Sequence, residues 1–155
     1  MFGKLTEQQI EEVLRDQIVG RIGCHYDGVT YVFPISYAYD GDAIYCHTKE
    51  GMKMKLMRNN SRVCFQVDDM QNMANWKSVI AWGDFEELDR GNARRDAIRH
   101  LMKRSLPIIS SETTHLAPSW PFYPEDLDEI PGIVFRIRLD AKTGRFEKSE
   151  PVNGR

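Results

Sequence analysis

The run Tyr45-Cys46-His47-Thr48-Lys49-Glu50-Gly51-Met52-Lys53-Met54-Lys55-Leu56 is where residue type and spacing bear most directly on chemistry. It reads as a strand that ends in a polar hinge and passes straight into a helix carrying lysines. The first amides of a helix have no partner within the helix and carry partial positive charge, so such a junction can hold an anion. A hydroxyl (Thr48), a glycine (Gly51) and an ammonium (Lys53) fall at this junction, a set suited to a phosphate. Pro34-Ile35-Ser36-Tyr37 lies on the strand expected to pair with Ala43–Thr48, which makes a half-apolar, half-polar wall leading toward the anion site. A flat aromatic ring system with a phosphate tail fits such a surface.

His47 has three readings: proton donor, metal ligand, or hydrogen-bonding wall residue. No histidine or carboxylate stands beside it at metal-ligand spacing, and no metal site is expected. Cys46 and His47 point to opposite faces of one strand, so by themselves they form no nucleophile–base pair. G-x-S-x-G, P-loop and G-x-G-x-x-G runs are missing, which weakens hydrolase and Rossmann readings. Trp76, Trp82 and Trp120 are available to stack on a flat ligand or to fill an interface. The sequence names no catalytic residue.

These residues need elements to position them. Thr6 and Gln9 form a capping box, Leu5 and Ile10 a staple around it, and Ile10, Val13 and Leu14 the apolar stripe of a first helix. The period then changes. Val19–Tyr26 and Val29–Tyr39 are rich in β-branched and aromatic residues, and the hairpin signal Asp27-Gly28 divides them. With Ala43–Thr48 they form a three-strand meander. Neither face of the second strand is strongly polar, so both faces are expected to be covered.

A short helix near Met52–Asn59 leads to strands at Arg62–Asp68 and Trp76–Leu88, separated by a polar loop. A helix over about Gly91 to Arg104 has one apolar side, and its arginines read as a solvated face. Prolines at 107, 118, 121, 124 and 131 break regular structure from Ser105 to Pro131. That segment also holds Trp120, Phe122 and Tyr123, so it reads as one that packs over something. A strand over Ile133–Asp140, a turn at Thr143-Gly144 and a last strand, Arg145–Lys148, close the chain. About six strands in sequential hairpins with few helices predict a mainly β chain with peripheral helices, an antiparallel split barrel.

The 155 residues make one domain spanning 1–155, long enough for a core without staples. A net charge of -2 argues against nucleic acid or an anionic membrane as the main partner. No signal segment or membrane-spanning run is evident, and a cytoplasmic location is expected. Cys24, Cys46 and Cys64 are odd in number and widely spaced, and read as small buried apolar groups.

Taken together, the segments resemble the pyridoxamine 5'-phosphate oxidase-like FMN-binding split-barrel superfamily, and within it the small Nim-type (nitroimidazole-resistance-like) branch. The resemblance rests on Pro34-Ile35-Ser36-Tyr37, Ile44–Thr48, Gly51-Met52-Lys53, Asn60–Phe65, Ser78–Gly83 and Thr143-Gly144-Arg145. It implies a six-stranded antiparallel barrel and a homodimer with FMN between the subunits. It also implies that Pro34–Tyr37 runs along the isoalloxazine ring and that His47, Thr48, Gly51, Met52 and Lys53 line the ribityl and phosphate end. Trp76, Trp82 and Trp120 are then candidates for the partner subunit's contribution. The activity implied is that of an oxidoreductase or flavin reductase, passing electrons from reduced flavin to a small flat acceptor, with NADH or NADPH as a source. The alternative is a non-catalytic protein that stores or senses flavin or haem, the haem reading giving His47 or His25 an axial role. Some relatives bind deazaflavin, so kinship alone leaves the cofactor open. The longer C-terminal part that carries basic residues for a substrate phosphate in vitamin-converting members has no counterpart here.

Overall fold

A computed structural model describes residues 1–107, 109–121 and 123–149. The first helix, α1 (Glu7–Asp16), follows a short strand, β1 (Phe2–Lys4). Its capping box forms as read: Thr6 Oγ1 accepts from the Gln9 amide at 3.2 Å and the Gln9 side chain accepts from the Thr6 amide at 2.9 Å. Ile10, Val13 and Leu14 are its buried stripe. β2 (Val19–Tyr26) and β3 (Val29–Ser36) form the expected hairpin, with Asp27 and Gly28 both at positive φ.

The meander then departs from expectation. The second strand breaks at Tyr37, and the short β4 (Ala38–Tyr39), not β3, pairs with β5 (Ala43–Thr48). α2 (Met52–Asn59) follows, then β6 (Arg62–Asn72), β7 (Asn75–Leu88), α3 (Asn92–Met102) and β8 (Ile133–Glu147). The polar stretch after Asp68 is strand for most of its length, because β6 and β7 continue pairing up to Asn72 and Asn75. β8 is also continuous, and Thr143-Gly144 makes no turn. Gly144 pairs with Val79, and a Cβ there would lie 2.7 Å from Leu5 Cδ1, so this glycine serves a close approach of α1 to the sheet.

The antiparallel sheet has eight strands rather than six, in the order β3-β2-β6-β7-β8-β5-β4, with β1 added to β8. The two edge strands β3 and β4 are consecutive in the chain, so the sheet curls until its edges come together: a split barrel with peripheral helices. Ile22, Ile35, Tyr37, Ile44, Cys46, Met54, Phe65 and Phe135 belong to the core inside the curl, together with the stripe of α1. Ala43, Tyr45 and Val134, on the other face of β5 and β8, pack beneath Ala97, Ile98 and Leu101 of α3. The apolar character of both faces of β5 thus has a physical cause. On β3 only one face is covered: Tyr31, Phe33 and Ile35 pack on the core, while Val32 is 69% exposed. Among the described residues, no helix is long and apolar enough to cross a membrane.

Candidate functional site

The chain between α3 and β8 folds over the outer face of β5 and onto the end of β3. Except for a 3-10 turn at Leu127–Glu129, its described residues form no regular element. Phe122, which the sequence offered as one of its packing aromatics, lies outside the described residues. His47 fastens the segment down at two points. Its Nδ1 lies 2.8 Å from the Thr113 carbonyl and its Nε2 2.6 Å from the Pro131 carbonyl. Both partners only accept, so the two bonds form together when the ring carries both protons. Gly132, at φ 91°, lets the chain come this close, since a Cβ would sit 2.7 Å from His47 Nε2.

Under this segment lies a cleft of about 340 Å³. Pro34 and Ile35 form its apolar wall, Ser36 continues that wall with a hydroxyl, and His47 and Lys53 reach it from β5 and α2. Ser110, Ser111, Thr113 and Thr114 face it from the other side. The sequence-derived residues Pro34, Ile35, Ser36, His47 and Lys53 therefore meet at one place. Lys53 has no carboxylate partner among the described residues; its ammonium lies 5.7 Å from the Phe33 ring centroid. The N-terminus of α2, where Lys53 is the second residue, has no side-chain cap, and a Cβ on Gly51 would meet open space.

A second cation, Arg104, stands behind the wall and donates to Ser36 Oγ at 2.5 Å. Burial pushes the Cys46 thiol up to about 12, and the positive charges of Arg104 and Lys53 both act against that rise.

Other expected residues are placed elsewhere. Tyr37 is turned into the core at 1% exposure, where its hydroxyl donates to the Leu14 carbonyl at 2.7 Å. Thr48 is 2% exposed, and among the described residues its hydroxyl reaches only the neighbouring Lys49 carbonyl, at 3.5 Å. Met52 is 65% exposed and is not among the residues that line the cleft. Trp76 donates to Glu147 at 3.0 Å beside a separate hollow, Trp82 is half-buried within β7, and Trp120 stacks on His115 with centroids 4.3 Å apart. None of the three tryptophans lines the cleft.

A family model described as pyridoxamine 5'-phosphate oxidase matches residues 6–146. The chain belongs to the pyridoxamine 5'-phosphate oxidase family. A solved FAD-binding protein from Mesorhizobium loti is 30% identical, with a TM-score of 0.73 covering 96% of this chain and 99% of that one. A candidate 5-nitroimidazole antibiotic resistance protein from Bacteroides thetaiotaomicron shares the fold at 19% identity and a TM-score of 0.70, covering 94% of this chain and 87% of its own. An uncharacterized protein of Rhizobium meliloti, RA0666, is 26% identical over 149 residues, 91% of this chain and 92% of its own.

In this family member the sequence reading missed the hydroxyls of the covering segment and Arg104. The segment has no periodicity from which a facing side could be read. The helix arginines are divided by the fold. Arg95 and Arg99 do meet surface carboxylates, as a solvated face predicts, but Arg94 is 7% exposed and donates to the Ile130 carbonyl at 2.8 Å.

Proposed function

We propose that the cleft binds a flavin nucleotide, FMN, and that the protein is a flavin-dependent oxidoreductase of the flavin-reductase kind. The observation that carries this reading is a cleft with an apolar wall, Pro34-Ile35, and two nearby cations, Lys53 and Arg104, that no carboxylate of the described residues neutralises. A cation that lines a cleft without a carboxylate partner, as Lys53 does, suits an anionic ligand, and Arg104 adds positive charge behind the wall. The residues fit the group in kind. Lys53 and the uncapped start of α2 would hold the phosphate, the Pro34–Ser36 wall would carry the ring, and the hydroxyls of Ser110–Thr114 would meet its polar edges. The described FAD-binding relative supports a flavin as the ligand class.

A bound flavin supplies the electron transfer. The chain's own groups bind and orient: Lys53 fixes one end, Pro34 excludes water from one ring face, and the His47-pinned segment covers the other side. We assign the uncovered face of β3, with Val32 at 69% exposure, to a second copy of the chain. That copy would bring Trp76, Trp82 or Trp120 to complete the site. NADH or NADPH would then reduce the flavin, and a small flat molecule would accept the electrons. We further assign the chain to the Nim-type branch, a reading supported by the order of the Pro34–Tyr37 and His47–Lys53 motifs.

The absorption spectrum of the purified protein tests the reading, followed by chromatography of the released ligand to separate FMN from FAD. A flavin spectrum, or saturable uptake of added FMN, is expected. Failure of both sinks the proposal, and bound flavin that neither NADH nor NADPH reduces would make the protein a carrier.

A further inference from the structure

Arg104 follows the last turn of α3, and all its hydrogen bonds among the described residues go to neutral groups. Nε donates to the Leu101 carbonyl at 2.8 Å, Nη2 to the Thr114 carbonyl at 3.2 Å, and Nη1 to Ser36 Oγ at 2.5 Å. Arg58, Arg62, Arg95 and Arg136, by contrast, each meet a carboxylate. Burial lowers the Arg104 pKa, though a guanidinium keeps its charge in any protein. The chain thus holds a part-buried cation that pairs with no carboxylate among the described residues, which leaves its charge available to the hydroxyl it donates to.

Ser36 shows how it can be used. Its oxygen accepts from Arg104, so its own proton is free to be donated elsewhere. The residue lines the cleft, and no described residue accepts that proton. A hydroxyl polarised by a cation behind it is a stronger donor than an isolated one.

We propose that Arg104 is a positioning residue that acts through Ser36, presenting a cation-backed hydroxyl donor to the edge of the flavin ring, where it favours the reduced ring over the oxidised one. The inference rests on the flavin reading above. Reduction adds electron density to the ring's nitrogens and carbonyl oxygens, so a fixed donor there binds the electron-rich form more tightly.

The test is the midpoint potential of FMN bound to the full chain, measured by equilibration with a reference dye. Wild type, Arg104→Met, Arg104→Lys, Ser36→Ala and the Arg104→Met/Ser36→Ala double variant are compared. Uptake of oxidised FMN and the thermal midpoint are checked for each. Arg104→Met and Ser36→Ala are each expected to lose about tenfold in preference for reduced flavin, a fall of about 30 mV for the two-electron couple. The double variant should fall no further than either single one, and Arg104→Lys should recover part of the loss. An unchanged potential in folded, flavin-loaded Arg104→Met overturns the proposal, as does additivity in the double variant. If Arg104→Met does not fold, an unchanged potential in Ser36→Ala overturns it equally. Wild-type protein that binds no flavin removes the reading beneath it, a result visible before any potential is measured.

Discussion

Lys53→Ala should separate a phosphate site from an ordinary lysine-bearing turn. In the folded chain the ammonium lies over Phe33 at 5.7 Å and has no carboxylate partner among the described residues, so its removal breaks no internal ion pair. The expected cost therefore falls on the ligand. A hydrogen bond to a charged group contributes about 1.5–3 kcal/mol. At about 1.4 kcal/mol per tenfold, FMN should bind roughly 10- to 150-fold more weakly. Lumiflavin has the same ring without the phosphate and should change by less than about twofold, a few tenths of a kcal/mol. Lys55 is exposed on the same helix and serves as the control, its Ala variant leaving both affinities near the parent values. Fluorescence titration at low and raised salt measures all three proteins. Wild-type FMN affinity should fall with salt more steeply than that of Lys53→Ala, because the charged contact is the screened one. Equal losses for FMN and lumiflavin, or an equal effect of Lys55→Ala, would refute the phosphate assignment.

Further predictions concern the scaffold. Gly144→Val should destabilise by about 1–3 kcal/mol in denaturant unfolding, because its Cβ would lie 2.7 Å from Leu5 Cδ1 and 2.9 Å from Ile10 Cγ1; unchanged stability would show that α1 does not pack as closely as described. Glu11 accepts from Lys142 at 2.6 Å and from the Tyr39 hydroxyl at 2.6 Å. Burial pushes its carboxyl up, but these two bonds outweigh burial and hold it below its ordinary value of 4.5. Because the folded value is the lower one, its stabilisation is present above pH 4.5 and is lost as pH falls through the folded value. Glu11→Gln should therefore remove about 1 kcal/mol at neutral pH and flatten the acid limb of the stability curve, whereas parallel curves would contradict the shift. Arg94→Met should cost about 1–3 kcal/mol by leaving the Leu127 and Ile130 carbonyls without their donor. It should also speed proteolysis between residues 105 and 131, and equal cleavage rates would show that Arg94 does not anchor that segment.

Local rules read well where the deciding interaction is itself local. The Thr6–Gln9 box, the Asp27-Gly28 turn and the Ala43–Thr48 strand need only neighbours within a few residues, and each forms as the sequence states. Local rules failed where a distant contact overrides local preference. Gly144 looks like a turn residue but serves the passage of Leu5 and Ile10 over the strand. Tyr37 belongs to the same motif as Pro34–Ser36, yet alternation along the chain sends it into the core against Phe65, with ring centroids 4.8 Å apart.

The sequence by itself determined the chemistry available to this protein. An apolar-polar wall, a strand-to-helix junction with a lysine, and a proline-broken aromatic segment are composition and order, and these are visible without a fold. The tertiary structure decided which of those groups share a space. Closing the sheet brings the end of β3 beside β5, and His47 then ties the covering segment to β5 through carbonyls at Thr113 and Pro131. The same closure carries Arg104 across to Ser36, two residues that are 68 apart in the chain. A helix arginine has no local signal that separates a solvated face from a buried one. Its partner is set by where the barrel closes, and that depends on the packing of the whole sheet.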